Sequence, residues 1–234
     1  MKAVMNGIIL SQGKLLSGQV MMYEETIWKI VPRSQTRVGM CVEIIDAAGG
    51  FIVPGWIHMK VPFLDGEETQ RGRLLASQGI TAMVPAAVEN LQAATVAGGI
   101  RVLPCSYTEE AGVLPMIQEP DTAVNFASHV RTCLQEKQYE FTELMQQLSE
   151  VPAQRLGQAR QGRLAVTYAA DFVILDNGEL QVQQTVVGGE LVYDATDGTR
   201  ILREIVRVFR RQGNKKRVRT VSLLFFYIPL FYGF

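Results

Sequence analysis

The stretch GGFIVPGWIHMKVPFLDG, residues 49–66, decides how the chain is read. Phe51, Ile52 and Val53 make a short apolar strand, Pro54-Gly55 breaks it, and Trp56 and Ile57 resume it. A continuous apolar run of this length, bounded by Gly and Pro, suits a strand buried on both faces. The same stretch then places His58, Lys60 and Pro62 at alternate positions, the side-chain period of a strand.

Upstream, residues 1–50 have β character. AVMNGIIL, GKLLSGQVMMYEETIWKIV and VEIIDAAGGFIV are short apolar or alternating runs, with Val20, Met22, Ile27, Ile30 and Val31 as strand residues. Asn6-Gly7 and Gly13-Lys14 read as hairpin turns. Downstream the pattern changes. A helix is expected from about Glu67 to Ser77, closed by Gly79, with ITAMVPA after it as a buried strand. Residues 90–118 have no clear period. Two helices follow, one with Asp121 as N-cap and Val124, Ala127, Val130 and Leu134 on one side. The other carries Phe141, Leu144, Met145 and Leu148 at i, i+3, i+4 and i+7, with Pro152 marking its end. From residue 162 the chain returns to β, with turns at Asp176-Asn177-Gly178 and Gly188-Gly189.

Of the 234 residues 47% are hydrophobic and 20% charged, which suits a globular protein. The net charge of zero hides an asymmetry: residues 198–234 hold nine Lys/Arg and only Glu204 as an acid, a tail of +8 on a body of −8. A body of that charge repels phosphate, so nucleic acid is not expected as a partner. Cys41, Cys105 and Cys133 are odd in number and lack metal-binding spacing, so they read as buried reduced thiols. With no signal-like N-terminal run, the expected location is cytoplasmic.

Five segments carry a resemblance: IIDAAGGFIVPGWI (44–57), LLASQGITAMVPA (74–86), EEAGVLPMI (109–117), VPAQRLG (151–157) and GRLAVTYAADFVILDNGELQVQQTVVGGELVY (162–193). Together they resemble the N-acetylglucosamine-6-phosphate deacetylases of the amidohydrolase superfamily. ADFVILD followed by TVVGGELVY is the most specific part. The resemblance implies an α/β plus β fold, in which both chain ends form a small β-sandwich and a TIM-like (β/α) barrel lies between them. The expected division is residues 1–55 with 160–195 as the sandwich, 56–159 as the barrel part, and 196–234 as a basic, aromatic tail outside the resemblance. It also implies a divalent metal such as Zn or Fe, an Asp proton shuttle, and an amino-sugar phosphate substrate hydrolysed to glucosamine 6-phosphate and acetate.

The departures bear on chemistry. The family turn is followed by Asp, one residue, and His-x-His. Here His58 takes the Asp position, and Lys60 and Pro62 take the two histidine positions. A lysine cation has no free lone pair and proline no side-chain donor atom, so neither is a metal ligand. An eight-strand barrel needs about 250 residues, whereas about 105 lie between the two β segments. The barrel is therefore expected to be a truncated remnant, with its seam near residues 90–105. His58 and His129 are the only histidines, and His129 reads as a surface or core residue of a helix. Asp65, Glu67 and Glu68 read as the solvated start of a helix rather than a substitute metal site.

The expectation is deacetylase-family architecture without catalytic residues, metal ligands or a cofactor in this chain. Competing with it are an active amidohydrolase and a membrane-surface protein. The tail sets Ile201, Ile205 and Val208 on one face of a basic helix and ends in VSLLFFYIPLFYGF, 14 residues with six aromatics. A bilayer span needs about 20 residues. Docking on the body, contact with an anionic membrane surface, and an extension foreign to the fold are its three readings. Self-association is expected, because a partial barrel leaves apolar faces uncovered.

Overall fold

The computed structural model describes residues 1–36, 41, 43–61, 68–85, 95–97, 99–103 and 125–196. Met1–Ala195 form one compact unit and Thr196–Phe234 a second, nearly all of which lies outside the described residues. In chain order the elements are β1 (Lys2–Met5), β2 (Ile8–Ser11), β3 (Lys14–Leu16), β4 (Gln19–Tyr23), β5 (Ile27–Pro32), β6 (Glu43–Asp46), β7 (Phe51–Pro54) and β8 (Trp56–Val61). Then come α1 (Glu68–Ser77), β9 (Ile80–Pro85), β10 (Thr95–Ala97), β11 (Ile100–Val102), α2 (Phe126–Gln135), α3 (Phe141–Leu148), α4 (Glu150–Arg155), β12 (Phe172–Leu175), β13 (Val182–Val187) and β14 (Glu190–Asp194). No helix among the described residues is long and apolar enough to cross a membrane.

The strands form three mixed sheets. A first has the order β5-β4-β1-β6, a central one β14-β13-β12-β7-β2-β3, and a third β10-β11-β9-β8. The central sheet joins the two ends of the unit: β7 runs antiparallel to β12, with Ile52 opposite Ile174 and Val53 opposite Val173. Strand alternation sorts its side chains into two cores. Ile9, Ile52, Phe172, Ile174 and Val186 meet Val4, Met21, Tyr23, Ile27 and Ile45 of the first sheet and its margin. Leu10, Val53, Val173, Leu175 and Val182 enter the core built by the third sheet and helices α1–α4. Every position of β12 is buried, which explains its uninterrupted apolar sequence.

Several expectations are corrected here. Asn6-Gly7 is not a hairpin turn. It carries the chain from β1 in the first sheet to β2 in the central sheet, and a Cβ on Gly7 would lie 2.8 Å from both the Ala47 Cβ and the Gly50 carbonyl. The glycine is required by close packing, not by turn geometry. The second hairpin forms one residue earlier than the expected Gly13-Lys14: its turn is Gln12-Gly13, both at positive φ, and Lys14 already pairs with Ser11 as the first residue of β3. Pro152 does not end α3. That helix ends at Leu148, where the Ser149 hydroxyl donates to the Met145 carbonyl (2.5 Å), and Pro152 sits in the first turn of α4. A proline costs little there, because first-turn N–H groups have no intrahelical partner. Helix α2 starts at Phe126 after Asn125, while Asp121 and Val124 lie outside the described residues. Cys41 and Cys133 are free but only half-buried, and Cys105 lies outside the described residues. The stretch that lacked a period contains β10 and β11.

Candidate functional site

The chain changes sheet at Gly55. β7 belongs to the central sheet, β8 to the third, and the Gly55 amide between them donates to the Asp171 carbonyl (2.9 Å). A Cβ at Gly55 would fall 2.2 Å from the Thr81 hydroxyl oxygen, so β8 and β9 can meet this closely only around a glycine. From that corner β8, β9 and β11 run parallel. In such α/β arrangements functional groups gather at the carboxyl ends of the strands. Here those ends are Val61, Pro85 and Val102.

His58 lies on β8 opposite Met83 and is fully buried. Its ring meets Phe126 of α2 edge-on at 5.0 Å, and Trp56 meets the same phenyl ring at 5.7 Å. Burial pulls the imidazole pKa down to about 4, outweighing the opposing pull of the Met59 backbone. His58 is therefore a neutral aromatic packing residue. Lys60 lies on β8, whereas Pro62, Asp65 and Glu67 lie outside the described residues; Glu68 opens α1. His129 is on the exposed side of α2, its Nδ1 2.9 Å from the Asn125 carbonyl. The two histidines thus occupy separate settings, one buried against an aromatic ring and one exposed on a helix. Among the described residues no group of three His, Cys, Asp or Glu side chains could hold a metal ion. A hydrolytic metal centre needs several N or O ligands around one cation, and the described residues bring no such set together.

Two polar features lie elsewhere. At the start of β12, Asp171 accepts two hydrogen bonds from Arg101 of β11, Nε to Oδ2 (3.0 Å) and Nη2 to Oδ1 (3.2 Å). The same Oδ1 accepts the Gly188 amide (2.6 Å). Burial disfavours the Arg101 cation, but the Asp171 carboxylate more than restores it, and the guanidinium pKa rises. This clamp ties the third sheet to the central sheet and to the Gly188-Gly189 turn. Beyond α4 there is an open hollow of ≈ 320 Å³, lined among others by Glu150, Gln154, Gln158, Gln161, Arg163 and Tyr168. Arg163 is ion-paired with Glu150 across it.

No protein-family model matches the chain, and no curated protein matches it. Solved structures do. N-acetylglucosamine-6-phosphate deacetylase from Pasteurella multocida is 10% identical with a TM-score of 0.57, the match covering 81% of this chain and 99% of that one. The enzyme of the same name from Thermotoga maritima is 12% identical with a TM-score of 0.54, covering 82% and 100%. The beta-aspartyl dipeptidase of Fervidobacterium islandicum is 11% identical with a TM-score of 0.55, covering 82% and 97%. The fold is amidohydrolase-like.

Identities this low speak for the fold alone. Within the amidohydrolase-like fold, sequence reasoning picked out β8 and the replacements along it, but it missed the Arg101–Asp171 clamp and the hollow. Asp171 did carry a signal, an acid directly before a fully apolar strand. Arg101 sat in the stretch without periodicity and carried none.

Neutral His58 has a consequence for stability. Its folded pKa lies below the unfolded value of about 6.5, so its contribution is complete above that pH. It is lost as acid protonates the unfolded chain preferentially, from about pH 6.5 down to about 4. The loss should reach roughly 3 kcal/mol at the acid end. Urea unfolding midpoints measured between about pH 7 and pH 5, above most carboxylate titration, should fall steadily in the parent protein and much less in His58→Met.

Proposed function

We propose that this chain is a non-catalytic member of the N-acetylglucosamine-6-phosphate deacetylase family. In this reading the first and central sheets are the family's β-sandwich, and the third sheet with its helices is what remains of a truncated barrel. The observation that carries the proposal is the state of β8. The strand on which the family is expected to present Asp-x-His-x-His offers a buried neutral His58, then Lys60, and Pro62 beyond it. Metal-bound hydroxide is the nucleophile of such hydrolases, and a cation without ligands supplies neither it nor polarisation of the amide oxygen.

The shortness of the barrel part supports the same reading. Between the corner at Gly55 and the start of β12 the described strands are β8, β9, β10 and β11, half the number a closed (β/α)8 barrel uses. The experiment is direct. The full chain, purified and supplied with Zn²⁺ or Fe²⁺ and N-acetylglucosamine 6-phosphate, is expected to release no acetate above the rate of metal alone. Metal analysis of the same preparation is expected to find less than stoichiometric transition metal. Metal-dependent turnover that disappears on chelation would overturn the proposal.

A further inference from the structure

Residues 198–234 take no part in the reading above, and their chemistry is their own. Seven Lys/Arg lie between Arg207 and Arg219, and no acid follows Glu204. Directly after them comes VSLLFFYIPLFYGF, residues 221–234, with six aromatics and no charged side chain. A basic block joined to an aromatic, apolar one is the composition of segments that settle at a lipid–water interface. Cations meet the headgroups there, while Phe, Tyr and Leu enter the acyl boundary. The sequence before the basic block fits the same plane. At about 100° per residue, Ile201, Leu202, Ile205, Val206, Val208 and Phe209 fall on one side of a predicted helix. Arg203, Arg207, Arg210 and Arg211 fall on the other.

Met1–Ala195 form a compact unit of their own. Among its described residues the large exposed apolar side chains are Leu15, Trp28, Ile44, Leu74, Val166 and Leu191, on six different segments. Scattered surface hydrophobics of that kind are ordinary. The strong apolar signal outside the cores is the tail's own. Residues 1–197 hold 14 Lys/Arg against 22 Asp/Glu, a net of −8, so an anionic surface repels the body and attracts the tail. Nucleic acid would meet the cations but leave the aromatic block in water; a bilayer takes both.

We propose that residues 198–234 hold this chain on the surface of a bilayer that contains anionic phospholipid. The basic block lies on the headgroups, the aromatic block enters the interface, and the acidic body stays in water.

The test is vesicle flotation of the full chain, in which lipid-bound protein rises and self-associated protein sinks. Vesicles of phosphatidylcholine with about 30% phosphatidylserine should carry the parent upward, and pure phosphatidylcholine about tenfold less of it. Raising salt from about 0.1 M to about 0.5 M should weaken binding about tenfold, because screening shortens the reach of the headgroup charge. Excess glycerophosphoserine, the same headgroup without a bilayer, should leave binding unchanged. Lys215→Glu, Lys216→Glu and Arg217→Glu together should weaken it by at least about tenfold, and Phe225→Ser with Phe226→Ser several-fold. Both variants should keep the parent's urea unfolding midpoint, which separates loss of the surface from loss of the fold; the lipid and salt comparisons need no variant. The proposal is overturned if anionic vesicles fail to lift the parent, if zwitterionic vesicles lift it equally, or if high salt or charge reversal changes nothing. It is also overturned if glycerophosphoserine releases the chain, or if short duplex DNA at equal phosphate concentration strips it from the vesicles, which would assign the tail to nucleic acid.

Discussion

Asp171→Ala should destabilise the protein by about 3 kcal/mol, read as a shift of the urea unfolding curve at unchanged slope. The Asp171 side chain is only 6% exposed and holds three donors at once, two from Arg101 and one from the Gly188 amide. Breaking a buried ion pair from one side typically costs about 3–5 kcal/mol, because the surviving charge stays desolvated without its partner. Arg101 keeps 26% of its side-chain exposure, which places the effect at the lower end of that range. The decisive comparison adds Arg101→Leu. With both partners gone no charge is stranded, so the double variant should be more stable than Asp171→Ala alone. A loss below about 1 kcal/mol would assign the pair to the ordinary class of surface salt bridges.

The second large effect is at Trp56. It is 1% exposed, stands edge-on to Phe126, and supports Gly79, where an added Cβ would lie 2.7 Å from two of its ring carbons. Trp56→Ala should cost about 3–5 kcal/mol, the usual range for deleting a buried aromatic ring. Coupling between the two positions makes the prediction sharper. In the parent, Gly79→Ala suffers both left-handed backbone strain at φ +79° and collision with the indole. In the Trp56→Ala background the collision is gone, and only the strain of about 1–3 kcal/mol remains. Thermal and urea unfolding of the two single variants and the double variant should therefore show clear non-additivity. Additive losses would mean that the indole and the glycine do not share one packing site.

Most strands could be read from sequence because their signals were local. The apolar block Phe172–Leu175, the Asp176-Asn177-Gly178 turn and the paired glycines 188 and 189 each follow from the chemistry of a few neighbouring residues. The stripe Leu144, Met145 and Leu148 is likewise fully buried, as its spacing requires. Failures came where a distant partner decided the outcome. Asn6-Gly7 has the composition of a hairpin turn, but its glycine answers to Ala47 and Gly50, some 40 residues away. Pro152 looks like a helix end until Ser149 is seen to break the helix first. At the candidate site, His58, Lys60 and Pro62 were legible as departures from the expected ligand pattern. The aromatic lid over His58 was not, since Phe126 reaches it from a helix 68 residues further along the chain. The hollow was equally hidden, because scattered glutamines form no motif until α4 and its following loop bring them together.

The inner strands of the central sheet, β13, β12, β7 and β2, spend both of their sides on apolar packing, one against the first sheet and one against the third. Loosening either layer therefore strips water-excluding cover from the same four inner strands that anchor the other. Within Met1–Ala195 the three sheets are one thermodynamic unit. A substitution that weakens the third sheet is then felt in the folding of the whole unit.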